Sequence, residues 1–368
     1  TRRRTYADLS GGFYLKYRVT NNNVSAIAFD RTAYSPISRI QTKTSGQVLS
    51  DIQGYNILGN WLMDIQAGQE FSKNIGSITM GCSNSSLTPR AGGQIALGGA
   101  TSTVCVPLFG GLFSSDRYVP LDTADSIKFT ISLASYQQGF QSSNAGAKSN
   151  SASLTIDQVE LTGYLVELSP EAQAIVDANV QNTGYQFMLH DYSHTSSTMA
   201  SNDTTHIAQL PFRYSSLKQV VGLLTNSTTR TNNHSQSVGN RSMSSVSEYN
   251  VNIGGVRYPQ RPIQVSGAGA ELLSEVLLSY HTLGDVSHTS NLINNNTNAW
   301  NVNNGNDASA TLAVNNASLG ACGFSVELDT FRGKSDILYS GLNSINSLVQ
   351  WEWTKGAVAN GFTCDYFA

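Results

Sequence analysis

Short stretches of alternating apolar and polar residues dominate this chain. Residues 126–133 read S-I-K-F-T-I-S-L, and residues 154–161 read L-T-I-D-Q-V-E-L, with Tyr164-Leu165-Val166 extending the second run past Gly163. A period of two puts the apolar side chains on one face, the pattern of a half-buried antiparallel strand. Residues 13–19 are aromatic and β-branched, and the turn formers Asn21-Asn22-Asn23 close them. Residues 24–29 and 37–42 continue in the same style. Beyond the midpoint so do residues 185–189, 207–213, 219–224, 249–253, 323–328, 348–353 and 362–367. Ile253, inside one of these runs, is expected in a core.

Helical spacing is confined to a few places. Ser169, Pro170 and Glu171 form an N-cap, a first-turn proline and an early acid, so residues 168–178 predict a helix of about three turns. It lies near the midpoint, where a connector between two domains belongs. Residues 48–62 and 270–278 have helical character and read as insertions, one in each half. The polar stretches 226–241 and 291–307 read as loops, as does 195–205. The expected class is all-β: two eight-stranded jelly-roll barrels in one chain, with short helices in the connector and the mid-domain insertions. The expected domains are 1–167 and 183–368, joined by a helical connector over 168–182. The halves share a plan without a residue-level repeat.

Composition narrows the function. Charged residues make up 13% of the 368, the net charge is −3 and the pI is near 6.0, so the body carries no basic field for a nucleic-acid groove. One basic cluster, Arg2-Arg3-Arg4, reads either as a solvated tail or as an arm touching phosphate or a headgroup. Cys82, Cys105, Cys322 and Cys364 show no CxxC or CxxH spacing and read as free thiols, mostly buried. No apolar run reaches the ~20 residues of a membrane-spanning helix. The chain opens on Thr1 rather than Met, which leaves a trimmed N-terminus or a processed leader open.

Candidate chemistry is thin. His190 and His194 flank Asp191-Tyr192-Ser193, with His206 further on, but no helix sets two of them on one face as a metal site would. No Gly-x-Ser-x-Gly elbow occurs, and Gly92-Gly93 and Gly98-Gly99 lack the sequel of a phosphate cradle. Carboxylates are sparse and none stands out in an aromatic-lined strand, although a paired-carboxylate glycosidase, whose two acids can lie far apart in the chain, stays open. The sequons at Asn202, Asn226, Asn233 and Asn240 are those expected by chance in so Asn-, Ser- and Thr-rich a chain. The expectation is therefore no enzyme, no cofactor and no small-molecule substrate.

Four phrases carry more. They are G-Q-V-L-S-D-I-Q-G-Y-N at 46–56, V-P-L-F-G-G-L at 106–112 leading to Val119-Pro120-Leu121, Y-N-V-N-I-G-G-V-R-Y-P at 249–259, and K-S-D-I-L-Y-S-G-L-N at 334–343. In this order the chain resembles the double jelly-roll major capsid proteins of tailless icosahedral DNA viruses, the tectivirus and adenovirus-type lineage. The resemblance implies a virion protein whose partner is itself: a homotrimer forming a pseudo-hexameric capsomer, then capsomer beside capsomer around the genome. It also implies vertex (penton) and minor capsid proteins as neighbours. An inner face toward genome or membrane would be served by Arg2, Arg3 and Arg4. Gly254-Gly255 with Tyr258-Pro259 reads either as a corner aiming the second insertion at a neighbour or as a plain hairpin turn. The rival function is a glycan-binding β-sandwich, lectin-like or a viral spike. It would need aromatic residues clustered at one end, whereas Tyr192, Trp300 and Trp353 are scattered in sequence.

Overall fold

The computed structural model describes residues 5–9, 13–23, 26–67, 71, 74–82, 94–95, 98–115, 117–121, 126–142, 154–227, 230, 238–239, 241, 243, 245–265, 270–280, 322–329 and 340–368. Strands dominate them, with five short helices.

The first half contains β1 (Thr5–Ala7), β2 (Tyr14–Asn21), β3 (Ile27–Phe29), β4 (Ile37–Thr44), β5 (Gln47–Gln53), α1 (Tyr55–Gln66) and α2 (Ile75–Thr79). It continues through β6 (Gln94–Ile95), β7 (Ala100–Pro107), β8 (Val119–Pro120), β9 (Ile127–Leu133), α3 (Tyr136–Gly139), β10 (Phe140–Ser142), β11 (Leu154–Thr162) and β12 (Leu165–Glu167). After α4 (Pro170–Thr183) come β13 (His194–Met199), β14 (Thr205–Leu210), β15 (Gln219–Asn226), β16 (Val246–Ile253) and β17 (Val256–Gln264). The chain ends with α5 (Ala270–Ser279), β18 (Phe324–Glu327), β19 (Val349–Lys355) and β20 (Phe362–Phe367).

Every described strand pairing is antiparallel and stays on its own side of α4. Beyond α4, eight strands form two four-stranded sheets, ordered β13-β20-β15-β18 and β14-β19-β16-β17. The first strand lies beside the last and the second beside the seventh, which is jelly-roll connectivity. Between the sheets lies an aromatic core. Tyr249 stacks on Trp351 with ring centroids 5.4 Å apart, Phe324 stands edge-on to Trp353 at 4.8 Å, and the Trp353 indole N–H donates to the Tyr366 hydroxyl at 2.9 Å. Gly222 faces these rings; a Cβ there would lie 3.0 Å from Trp351 and 3.1 Å from Trp353. Only glycine lets β15 come so close.

Before α4 the strands form four three-stranded sheets: β12-β1-β8, β10-β3-β6, β11-β2-β7 and β5-β4-β9. Tyr55 and Phe109 stack at 4.2 Å, and Tyr34 packs edge-on against both. Helix α1 begins after Gly54, whose φ of 64° makes the left-handed corner out of β5. Ten of its twelve residues are buried, so the helix is wrapped on all sides.

Several sequence expectations shift here. Residues 48–52 are not helical: they belong to β5, paired to β4 across the two-residue turn Ser45-Gly46. Their hydrophobic spacing merged with that of α1, and only Gly54 marks the break. The connector helix runs to Thr183, longer than expected, because nothing stops it before Gly184. Ser169 caps it, accepting from the Ala172 N–H at 3.3 Å. Residues 194–199 are strand rather than loop, since β20 imposes its ladder on a polar sequence. Residues 185–189 belong to no strand. Gly254 and Gly255, with φ of 61° and 89°, form the hairpin turn between β16 and β17, which is the plain reading of that motif. All four cysteines are free; Cys82, Cys322 and Cys364 are buried and Cys105 is half-buried. The 291–307 segment, Trp300, Asn233, Asn240 and Arg2, Arg3 and Arg4 lie outside the described residues, as does most of 226–241 and of 334–343.

Candidate interaction surfaces

The histidine cluster does not assemble. His194 turns inward and lies 2.9 Å from Asp365, while His190 stays exposed, its backbone bonded to Gly111 and Ser114. His206 lies on the other sheet. Asp365 is fully buried and also takes Arg230. Burial alone would raise its pKa; the His194 hydrogen bond and the Arg230 charge hold it below the ordinary carboxylate value.

A serine–histidine pair does appear: Ser197 Oγ lies 2.9 Å from His206 Nε2, bridging the two sheets, and 3.2 Å from the Tyr366 hydroxyl. Burial depresses the His206 pKa. Ser197 sits mid-strand opposite Cys364, so its backbone belongs to a ladder rather than to an elbow that could present a nucleophile. The pair satisfies polar groups at the sandwich edge. Among the described residues no group of three or more His, Cys, Asp or Glu is placed to hold a metal ion.

The most developed polar network joins the two halves. Asp64, near the end of α1, binds Arg31 at 2.6 Å and Arg241 of the second half. Arg241 is fully buried, donates to the Cys322 carbonyl at 3.2 Å and lies 5.2 Å from the centre of the Trp61 ring. Burial lowers its pKa, against the neighbouring Asp64 carboxylate that raises it. Trp61 in turn donates to the Tyr280 hydroxyl at 2.8 Å. The Asp30 carboxylate accepts from the Val238 N–H at 2.8 Å. On another side Ser50 donates to Asp191 at 2.7 Å, and the Gly111 N–H donates to the His190 carbonyl at 2.9 Å. At Gly54 a Cβ would sit 3.2 Å from Phe367. Sequence reasoning missed this seam because its partners are far apart: Asp64 and Arg241 are 177 residues from one another.

The outer faces are apolar in patches. Both β-hairpin tips expose aliphatic residues: Val48 and Leu49 beside the β4–β5 turn, and Val256 beside the β16–β17 turn, with Ile345 and Leu348 close by. Leu133 on β9, Val159 and Leu161 on β11, and Tyr164 and Leu165 at the start of β12 are exposed as well. Some charges elsewhere on the first half are paired, Lys16 with Glu160 and Arg18 with Asp157 across β2 and β11, and Arg39 with Asp51 across β4 and β5. Such exposed pairs add little stability.

No protein-family profile and no curated protein matches the sequence. Solved structures do. VP54 of PBCV-1, in a crystal structure fitted into a cryo-EM reconstruction of the virophage Sputnik, aligns with a TM-score of 0.59 at 9% identity, over 100% of this chain and 89% of that one. A quasi-atomic model of the PBCV-1 virus capsid gives the same values. The Faustovirus major capsid protein aligns with a TM-score of 0.59 at 8% identity, over 100% and 85%. At such identity the likeness is one of fold. The chain shares the all-β fold of these capsid proteins over the whole aligned length.

Proposed function

We propose that this chain is a major capsid protein, a structural subunit that assembles with copies of itself into a viral shell. The observation that carries the reading is a fold match to capsid proteins spanning all of the chain. Its internal build agrees: strand pairing separates into two halves at α4, and a buried ionic seam then holds the halves together. This is what a shell tile needs, two sandwiches moving as one block. The domain limits are 1–167 and 183–368, with the connector at 168–182 between them. Paired surface charges suit side-by-side packing, where like copies meet without net repulsion.

In this reading three chains form a pseudo-hexagonal capsomer, and capsomers tile an icosahedral shell with vertex and minor proteins at its special positions. Arg2, Arg3 and Arg4 face the interior, toward genome or membrane. The protein is not an enzyme and takes no cofactor. The glycan-binding alternative is not favoured by Trp353, which is buried between the sheets, and Trp300 lies outside the described residues.

Electron microscopy and sedimentation of the purified protein test this. Trimers of hexagonal outline, hexagonal tiles or closed shells are expected. Monomer alone across a wide concentration range would sink the reading.

A further inference from the structure

The two hairpin tips lie at one end of the molecule. In the second half a short turn, 356–361, joins β19 to β20, so Val349 and Phe367 share an end. Val349 pairs there with Ile253, beside the Gly254-Gly255 tip. His194, paired with Phe367, opens β13 at the same end, and β13 runs away from it. In the first half β5 runs away from its own tip, Ser45-Gly46, and reaches Gly54. Across the seam Ser50 meets Asp191 at 2.7 Å, and a Cβ on Gly54 would lie 3.3 Å from the His194 ring. Advancing along β5 is therefore advancing from Asp191 into β13, and strands of packed sheets keep a common direction to within about 30°. Both tips point the same way.

The tips share a chemistry as well as a direction. Residues 45–49 are all exposed, as are 254–257. Val48 is 51% exposed and Val256 53%. Leu49 adjoins the first, and Ile345 and Leu348 the second, where the Gly254 N–H donates to the Leu348 carbonyl at 3.0 Å. Cations border these aliphatic points. Lys43 is the register partner of Val48 on one side and of Lys128 on the other. Arg257 follows Val256, and the exposed Arg213 precedes Tyr214, whose N–H donates to Ser344 Oγ at 3.0 Å, next to Ile345. No acid occurs in 43–49, 252–257 or 341–350. Arg257 reaches Glu352 at 3.5 Å, but among the described residues neither Lys43 nor Lys128 has an ion-pair partner. Like charges directly opposite on neighbouring strands repel one another. An anionic surface laid against this end would relieve that repulsion.

We propose that this end of the molecule rests on a lipid bilayer with anionic headgroups. The aliphatic tips enter the acyl boundary, and the lysines and arginines lie among the phosphates. Aliphatic points bordered by cations are the composition of a peripheral membrane contact. A protein partner fits less well: a stable interface covers about 800 Å² on each side, whereas these are two separate prongs of two or three aliphatic residues. A nucleic acid would take the cations and leave the aliphatic residues in water. The inference adds a partner at one end of the tile to the shell reading. It is tested on unassembled protein, so either can fail without the other.

Vesicle flotation is the test. The purified protein should float with phosphatidylcholine vesicles containing about 30% phosphatidylglycerol, and bind vesicles of phosphatidylcholine alone roughly tenfold more weakly. The variant Val48→Ser/Leu49→Ser/Ile345→Ser/Leu348→Ser should bind the anionic vesicles roughly tenfold more weakly than wild type. Val159→Ser/Leu161→Ser, on β11, should match wild type. Absence of flotation at millimolar lipid, equal binding to the two kinds of vesicle, or unchanged binding of the four-residue variant overturns the proposal. Loss of self-association in that variant overturns it too, since the tips would then meet a second copy. Should the variant fail to fold, Val48→Trp decides. Its added indole emission should shift to the blue on vesicles and be quenched by lipids brominated on their acyl chains; an unmoved spectrum refutes insertion.

Discussion

At Asp64 one carboxylate answers two guanidinium groups, and one of these, Arg241, has no access to water. Removing the carboxylate leaves a buried cation without its counter-charge, a change that typically costs about 3–5 kcal/mol. Asp64→Ala is expected to lose that much stability by chemical denaturation. Asp365 gives a pH signature. Its folded pKa lies below the ordinary 3.8, so its contribution is complete above that value and drains away as pH falls through the lower folded one. Thermal scans from pH 5 to pH 2 should show a steep loss of melting temperature, and Asp365→Asn should lower the plateau and flatten the slope. Parallel curves for the two proteins would contradict the assignment.

Elements differ in how openly their sequences announce them. β20 matches its expected limits because Phe362–Phe367 is rich in aromatic residues and is enclosed between β13 and β15, which buries nearly all of it. α4 was announced by Ser169 and Pro170, signals local to the backbone and independent of packing. β13 was hidden, since H-T-S-S-T-M carries one aliphatic residue and owes its conformation to the neighbouring strand. The surface patches were equally hidden. Alternation tells which residues share a face; whether a face is covered depends on strands distant in the chain, as Val159 and Tyr366 show. The hairpin at Gly254-Gly255 can be checked directly. A branched side chain in the left-handed region costs roughly 1–2 kcal/mol, so Gly255→Val should lower stability by about that amount and speed exchange at Ile253 and Val256.

At the scale of the whole molecule, the seam along α1 makes two separately paired halves into one cooperative body. Wild-type protein is expected to unfold in urea through a single transition seen alike by tryptophan fluorescence, to which Trp351 and Trp353 of the second half contribute, and by circular dichroism. In Asp64→Ala the two probes should part, the first half melting earlier. Coincident curves in the variant would show that the halves are coupled by something other than the ions.

The position of β20 has a further consequence. It lies in the middle of its sheet, between β13 and β15, although β15 ends at residue 226 and β20 begins at 362. While a ribosome is still translating this long interval, the sandwich stays split and its aromatic interior is open to chaperones. A message cut short of Phe362 therefore yields a product fit for the protease rather than a smaller folded protein, and quality control is written into the order of the strands.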